Sequence, residues 1–248
     1  MSQRVALVTG GTRGIGLAIA RALGQSGCRL VLTYLRNHRR ADESREELKA
    51  EGFDVTVLQA DSANRKDTEE VFAFLRQQHQ RLDVLVSNGS AGFFGPTLAT
   101  SDTEWRWTMD SNAKALLMQA QLGAPLMEGH AGKIVTLTSS GADRAVENYG
   151  VIGVAKAAQA ALVRYLAKEL GPKGINVNAV CAGLVDTEAL APYPDRKLLL
   201  RWVRLRTPMR RLTTVEDVAK AVVFLCGPQS DMIHGHTLVV DGGLSIRS

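Results

Sequence analysis

Seven short, almost uninterrupted apolar runs recur along this chain, at Val5 to Thr9, Leu30 to Tyr34, Val55 to Gln59, Val84 to Ser87, Ile134 to Ser139, Val177 to Cys181 and Leu238 to Val240. Between them lie helix-length segments: Gly14 to Gly24, Ala41 to Glu51, Lys66 to Gln78, Glu104 to Glu128, Tyr149 to Leu170 and Val215 to Leu225. A half-exposed strand alternates apolar with polar residues, whereas a run that is apolar throughout belongs to a sheet covered on both faces. Strands that alternate with helices build parallel sheets. The pattern therefore predicts a doubly wound α/β fold with a seven-stranded parallel sheet and helices on both faces. With 248 residues and no linker, repeat or low-complexity tract, one domain over 1–248 is expected.

Composition narrows the function classes. No apolar run approaches the roughly 20 residues of a membrane span, and Met1 to Val5 lacks the charged and apolar regions of a signal peptide. The expected compartment is the cytoplasm, with no membrane or nucleic-acid partner. Cys28, Cys181 and Cys226 are an odd, widely spaced set without metal-ligand spacing, so reduced core thiols and no metal site are expected. Much of the formal net charge of +5 is concentrated in one place. Arg196, Lys197, Arg201, Arg204, Arg206, Arg210 and Arg211 follow one another without an acidic residue, interleaved with Leu198, Leu199, Leu200, Trp202, Val203 and Leu205. That stretch reads as a basic helix with an apolar side, either a solvated face or a docking surface.

Directly after the first strand, and opening the first helix, Thr9 to Gly16 reads TGGTRGIG. In that context glycines let the backbone approach a pyrophosphate, and the helix N-terminus stabilises its charge. Gly10, Gly14 and Gly16 are the expected cradle, with Thr12 and Ile15 lining the turn, which makes the fold a dinucleotide-binding (Rossmann) one. Sites that choose NAD place an acidic residue about 20 residues on, at the end of the second strand. Here that stretch is Tyr34, Leu35, Arg36, Asn37, His38, Arg39 and Arg40, with no carboxylate. Guanidinium groups pair with phosphate, so Arg36, together with Arg13 inside the glycine turn, predicts NADPH over NADH.

These residues, with Asp61, the SNGSAG turn at Ser87 to Gly92, Asn112, Ser139, Lys156 and the turn at Asp241 to Gly243, resemble the short-chain dehydrogenase/reductases over essentially the whole chain. The resemblance implies that Asp61 and Ser62 meet the adenine, that Asn88 lies near the adenosine ribose, and that Val185 and Thr187 also contact the cofactor. It implies that Asn112 holds a water in a proton relay, that Ser139 orients the substrate oxygen and that Lys156 grips the nicotinamide ribose. A substrate-covering region at about 186–211 and a homotetramer, with Trp105 and Trp107 on a contact helix, are further implications. Three positions depart from the family pattern. The usual Asn-Ala-Gly is Asn88-Gly89-Ser90, the usual Pro-Gly is Ala182-Gly183, and the usual tyrosine four residues before Lys156 is Ile152.

Thirteen residues past Ser139, the ordinary spacing, is again Ile152, so the tyrosine is displaced to Tyr149, seven residues before Lys156. Tyrosine, six residues, lysine is the pattern of the NADPH-dependent enoyl-acyl-carrier-protein reductases, and the chain is similar to their type III enzymes. Spacings of four and seven return a side chain to nearly the same helix face, one or two turns away. In carbonyl reduction the carbon that takes the hydride bears the oxygen that takes the proton. In a 2-enoyl thioester the charge develops on the thioester oxygen, on the order of 3 Å beyond the β carbon when bonds are summed. A donor moved by one helical turn, roughly 5 Å, suits that chemistry. Tyr149 is thus the expected donor to the enolate, with Lys156 fixing the ribose and lowering the phenol's pKa by its charge. Phe93, Phe94, Leu190, Tyr193 and Trp202 follow strand ends, where an acyl tunnel is expected. The basic helix then suits an acidic acyl-carrier protein. A 3-ketoacyl or other carbonyl reductase, favoured by the retained Ser139 and Asn112, and a regulatory NADPH-binding protein without turnover remain open on these residues.

Overall fold

The computed structural model describes residues 3–191 and 195–246. Its strands are β1 (Val5–Val8), β2 (Arg29–Tyr34), β3 (Val55–Gln59), β4 (Val84–Ser87), β5 (Lys133–Ser139), β6 (Asn176–Ala182) and β7 (Thr237–Val240), all in one parallel sheet ordered β3-β2-β1-β4-β5-β6-β7. The expected doubly wound architecture is present. Its helices are α1 (Gly14–Gln25), α2 (His38–Ala50), α3 (Arg65–Gln78), α4 (Asp102–Met109), α5 (Ala115–Met127), α6 (Gly150–Leu170), α7 (Arg196–Arg206) and α8 (Val215–Leu225).

Successive strand residues point to opposite faces, and here both faces are covered. Leu7, Val31 and Leu85 join Phe72 of α3, Leu116 of α5 and Val163 of α6 in one core. Ala6, Val8, Leu32 and Val86 join Ile19 of α1 and Val222 of α8 in the other. The nearly continuous apolar runs follow from this double burial. The strand order reverses between β1 and β4, and such a switch point opens a crevice at the strands' C-terminal ends. Among the described residues, no helix is long and apolar enough to cross a membrane.

Three elements differ from the sequence expectation. The helix expected at Glu104 to Glu128 is broken by a π-helical turn at Asp110–Lys114. There Ser111 Oγ donates to the Trp107 carbonyl at 2.7 Å and Asn112 Nδ2 to the Thr108 carbonyl at 2.8 Å, so side chains compete with the backbone ladder. Helix α2 begins at His38, three residues early, because Asn37 caps it by accepting from the Arg40 N–H at 3.0 Å. The basic helix stops at Arg206, since Thr207 is extended ahead of Pro208.

Candidate active site

The TGGTRGIG turn is built for close approach. A Cβ on Gly16 would lie 2.2 Å from the Gly10 carbonyl oxygen, and Gly10 holds φ +61° with its own Cβ position 3.0 Å from Gly89 Cα. Nothing larger than glycine fits at residue 16 without moving the loop. The first turn of α1 carries no acidic residue, and its unpaired N–H groups face the crevice. Two adjoining cavities share Gly10, Arg13, Gly89 and Ser90 as walls. The first, about 420 Å³, runs from Thr12 past Asp61 and Ser62 to Arg36 at the end of β2. The second, about 520 Å³, lies over Gly14, Ile15 and Gly16 beneath Asp186, Thr187 and Glu188. Arg13 stands at the boundary of the two, where its guanidinium pairs with Glu188 at 2.8 Å. Arg36 has no ion-pair partner among the described residues.

Beyond the cradle, β5 and α6 assemble the groups suited to chemistry. Tyr149 is the residue just before the first turn of α6, reached through Asn148 at φ +56°. Its hydroxyl lies 3.1 Å from Ser139 Oγ at the end of β5, and its ring packs so tightly over Gly141 that a Cβ there would meet it at 2.5 Å. Two turns on, Lys156 is buried at 7% exposure and its ammonium donates to the Leu137 carbonyl at 2.9 Å. The two functional groups are thus anchored two residues apart on β5. Ile152, in the place the family gives its tyrosine, packs against Gly92 in the turn after β4.

Burial governs the protonation of both groups. It pushes the Lys156 ammonium down to about 8. It pushes the Tyr149 phenol up from its ordinary value, opposed by the hydrogen bond from Ser139. The Lys156 ammonium, which donates to the Leu137 carbonyl, is not among the groups that shift the phenol.

Comparison with known proteins shows the family. A family described as "Enoyl-(Acyl carrier protein) reductase" matches residues 10–245. The 1-cyclohexenylcarbonyl-CoA reductase of Streptomyces collinus is 36% identical over 246 residues, covering 98% of this chain and 88% of that protein. Dehydrogenase/reductase SDR family member 4 of Sus scrofa is 34% identical over 249 residues, covering 100% and 89%. Among solved structures, an enoyl-[acyl-carrier-protein] reductase (NADH) from Aquifex aeolicus superposes with TM-score 0.90 at 32% identity, covering 99% of this chain and 97% of its own. A short-chain dehydrogenase from Burkholderia cenocepacia, solved with NADP, gives TM-score 0.90 at 31% identity, with 98% of each chain covered. The chain belongs to the short-chain dehydrogenase/reductase family.

Several expected site residues of this short-chain dehydrogenase/reductase also make contacts within the scaffold. Asn88 lines the second cavity, and its amide donates to the carbonyls of Thr9 (2.9 Å) and Gly10 (3.2 Å), holding the glycine turn. Val185 is buried in the core and bridges to Thr213, and it is not among the residues that line either cavity. Thr187 does line the second cavity. Asp61 is held in its turn by accepting from the Ala63 N–H at 2.9 Å.

Asn112 sits in the π turn at 1% exposure, donating to the carbonyls of Ala91 (2.7 Å) and Thr108 (2.8 Å). None of its bonds reaches Tyr149, Ser139 or Lys156, and its Oδ1 is buried without a partner, an acceptor placed for a water. Its backbone carbonyl accepts from Gln159 Nε2 at 3.3 Å, and the same amide reaches Thr136 Oγ1 at 3.2 Å. Gln159 was not anticipated as a site residue. The signal was available: an amide three residues past Lys156 in an apolar helix must find a partner when buried.

The expected acyl tunnel is only partly supported. Leu190 is buried, Phe94 is partly buried in the turn after β4, and Tyr193 lies outside the described residues. Trp202 is 53% exposed, with the Arg206 guanidinium 4.8 Å from its ring centroid. The three cysteines are buried and free.

Proposed function

We propose that this short-chain dehydrogenase/reductase reduces the conjugated double bond of a 2-enoyl thioester with NADPH, in fatty-acid or related polyketide synthesis. The observation that carries the reading is the position of Tyr149, hydrogen-bonded to Ser139 while Ile152 fills the place from which a carbonyl reductase donates. The family match and the 1-cyclohexenylcarbonyl-CoA reductase, named for a thioester whose double bond is conjugated to the carbonyl, support it.

The glycine turn and the α1 N-terminus would hold the pyrophosphate, with Arg13 and Arg36 taking the 2′-phosphate that distinguishes NADPH. The cofactor, when bound, supplies a hydride for the β carbon. An ammonium has three donors, and Lys156 uses one on Leu137, which leaves two for ribose hydroxyls. Ser139 Oγ–H, by donating to the Tyr149 oxygen, leaves the phenolic proton free for the enolate oxygen. Raised by burial, the phenol stays protonated at neutral pH and acts as a neutral donor aimed at developing charge.

NADPH oxidation with crotonyl and acetoacetyl thioesters tests the assignment, with turnover expected on the crotonyl substrate. Turnover confined to acetoacetyl thioester would support a carbonyl reductase, which the Ser139–Tyr149 hydrogen bond also suits. Tight cofactor binding without turnover on either would support a regulatory role. Arg36→Ala is expected to lose ten- to a hundredfold in NADPH affinity with NADH affinity within about twofold, in line with about 1.5–3 kcal/mol for a charged hydrogen bond. Equal losses for both cofactors would remove Arg36 from the phosphate site.

The basic helix α7 fits an acidic acyl-carrier protein as partner. Lys197, Arg201 and Arg204 fall on one face at i, i+4 and i+7, beside a groove of about 380 Å³ lined by Leu200, Leu205 and Leu212. The same assay, run with the crotonyl group on carrier protein and on coenzyme A, is expected to give the lower KM for the carrier, with the difference shrinking as salt rises. Exposed Trp105, Val154 and Tyr165 on α4 and α6 are proposed to be covered by further copies in a tetramer.

A further inference from the structure

The three cations that line the first cavity, Arg13, Arg36 and Arg40, are not in the same state. Arg36, at the end of β2, has no ion-pair partner among the described residues, and Arg40 pairs with Glu43 and Glu47 of its own helix, whereas Arg13, at the boundary of the two cavities, pairs with Glu188 at 2.8 Å. Glu188 lies 175 residues on, in the segment after β6, and lines the second cavity together with Asp186 and Arg196. Asp186 is itself paired with Arg196 at the start of α7. Of the carboxylates that line the two cavities, Asp61, Asp186 and Glu188, Glu188 is the one paired with Arg13.

We infer that Glu188 is a specificity-determining residue, which competes with the 2′-phosphate of NADPH for Arg13 and so sets how strongly the enzyme prefers NADPH over NADH. This rests on the NADPH reading above. A guanidinium has five N–H donors in a fixed fork, and a carboxylate that holds one of them also offsets part of the charge that a second oxyanion would meet. To use Arg13, NADPH must displace Glu188 from Nη1 or share a guanidinium whose charge Glu188 already offsets; NADH carries no phosphate at that position and leaves the pair intact. The side chains of Arg13 and Glu188 are 61% and 70% exposed, so solvent weakens the pair. A phosphate with nearly two charges and three acceptor oxygens outcompetes a single carboxylate there. The competition therefore lowers NADPH affinity without preventing binding. From the usual range for exposed pairs, up to about 1 kcal/mol, the effect is about three- to fivefold.

Removing the Glu188 charge also makes the whole cleft less negative, which favours both dinucleotides through their shared pyrophosphate. Only the excess gain for NADPH reports the competition, and only if it needs Arg13. Trp107, on the wall of the first cavity, provides a fluorescence signal for cofactor titrations that does not depend on turnover. Dissociation constants for NADPH and NADH are to be measured for the wild type, Glu188→Gln, Arg13→Ala and the double variant. The expected result is that Glu188→Gln tightens NADPH about three- to fivefold more than NADH. That excess should vanish in the Arg13→Ala background and shrink as salt rises from 20 mM to 500 mM. An equal gain for both cofactors, no gain, or an excess that survives Arg13→Ala would overturn the competition while leaving an NADPH preference of the wild type intact. A wild type that binds the two cofactors equally would instead remove the phosphate reading on which the inference stands.

Discussion

Tyr149→Phe is expected to lower kcat on crotonyl thioester by at least about a hundredfold, while NADPH affinity stays within about twofold. Loss of a single donor to a developing oxyanion costs about 10²–10³ in rate, and here that donor is one hydroxyl. The ring remains to pack over Gly141, so the fold is kept. Ser139 loses its 3.1 Å partner, which costs about 1 kcal/mol of stability. The comparison that isolates the role is Ser139→Ala: it leaves the phenol in place and is expected to lower kcat far less. If Tyr149→Phe retained activity, Tyr149 would leave the mechanism, and the assignment to alkene reduction would lose its main support.

Lys156→Met is expected to abolish measurable turnover and at the same time make the protein more heat-stable at pH 7. The ammonium is buried and its pKa falls to about 8 from the ordinary 10.5. At about 1.4 kcal/mol per unit, keeping it charged in the folded state costs about 3 kcal/mol relative to the unfolded chain. Methionine fills a similar volume without the charge, at the loss of one hydrogen bond to Leu137. For a chain of this size the net gain corresponds to a rise of roughly 5–8 °C in Tm. The sign with pH follows from the depressed value. Below about 8 the wild type bears the full penalty, and between about 8 and 10.5 the folded lysine sheds its proton, so the penalty fades. Thermal melts of the two proteins at pH 7 and pH 9.5 should therefore converge at the higher pH. A pH-independent difference would mean that packing, not charge, separates them.

Both predictions place cost and function in the same residues. A buried ammonium with one protein acceptor and a phenol reached through a positive-φ asparagine are poor choices for stability alone. Their positions make sense where substrate and cofactor complete the missing partners. The orphaned Oδ1 of Asn112 and Oε1 of Gln159, in and beside the π turn, follow the same logic.

Much of this was legible in the chain itself. Double-sided burial writes a continuous apolar run into each central strand, so the seven strands of the sheet could be read within one or two residues. Gly10 and Gly16 were legible because their requirement is local: a turn that lets backbone approach backbone tolerates no Cβ. The family spacings counted from Ser139 and from Lys156 agree on Ile152, and that resemblance singled out Tyr149 as the displaced candidate. Less was legible where long-range packing decides. Asn88 and Val185 sit at family positions, yet one amide is spent on the Thr9 and Gly10 carbonyls and the other side chain is drawn into the core.

The sequence by itself determined the doubly wound sheet, the phosphate cradle and the lack of an acidic residue at the end of β2, since each depends on periodicity or on neighbours a few residues apart. Only the tertiary structure decided that Tyr149 pairs with Ser139, that Lys156 faces Leu137, that a π turn interrupts the long helix and that Arg13 is held by Glu188. Those pairings join residues as much as 175 positions apart. Which of several cations or carboxylates meet is set by the way the elements pack, and no local pattern in the chain encodes that choice.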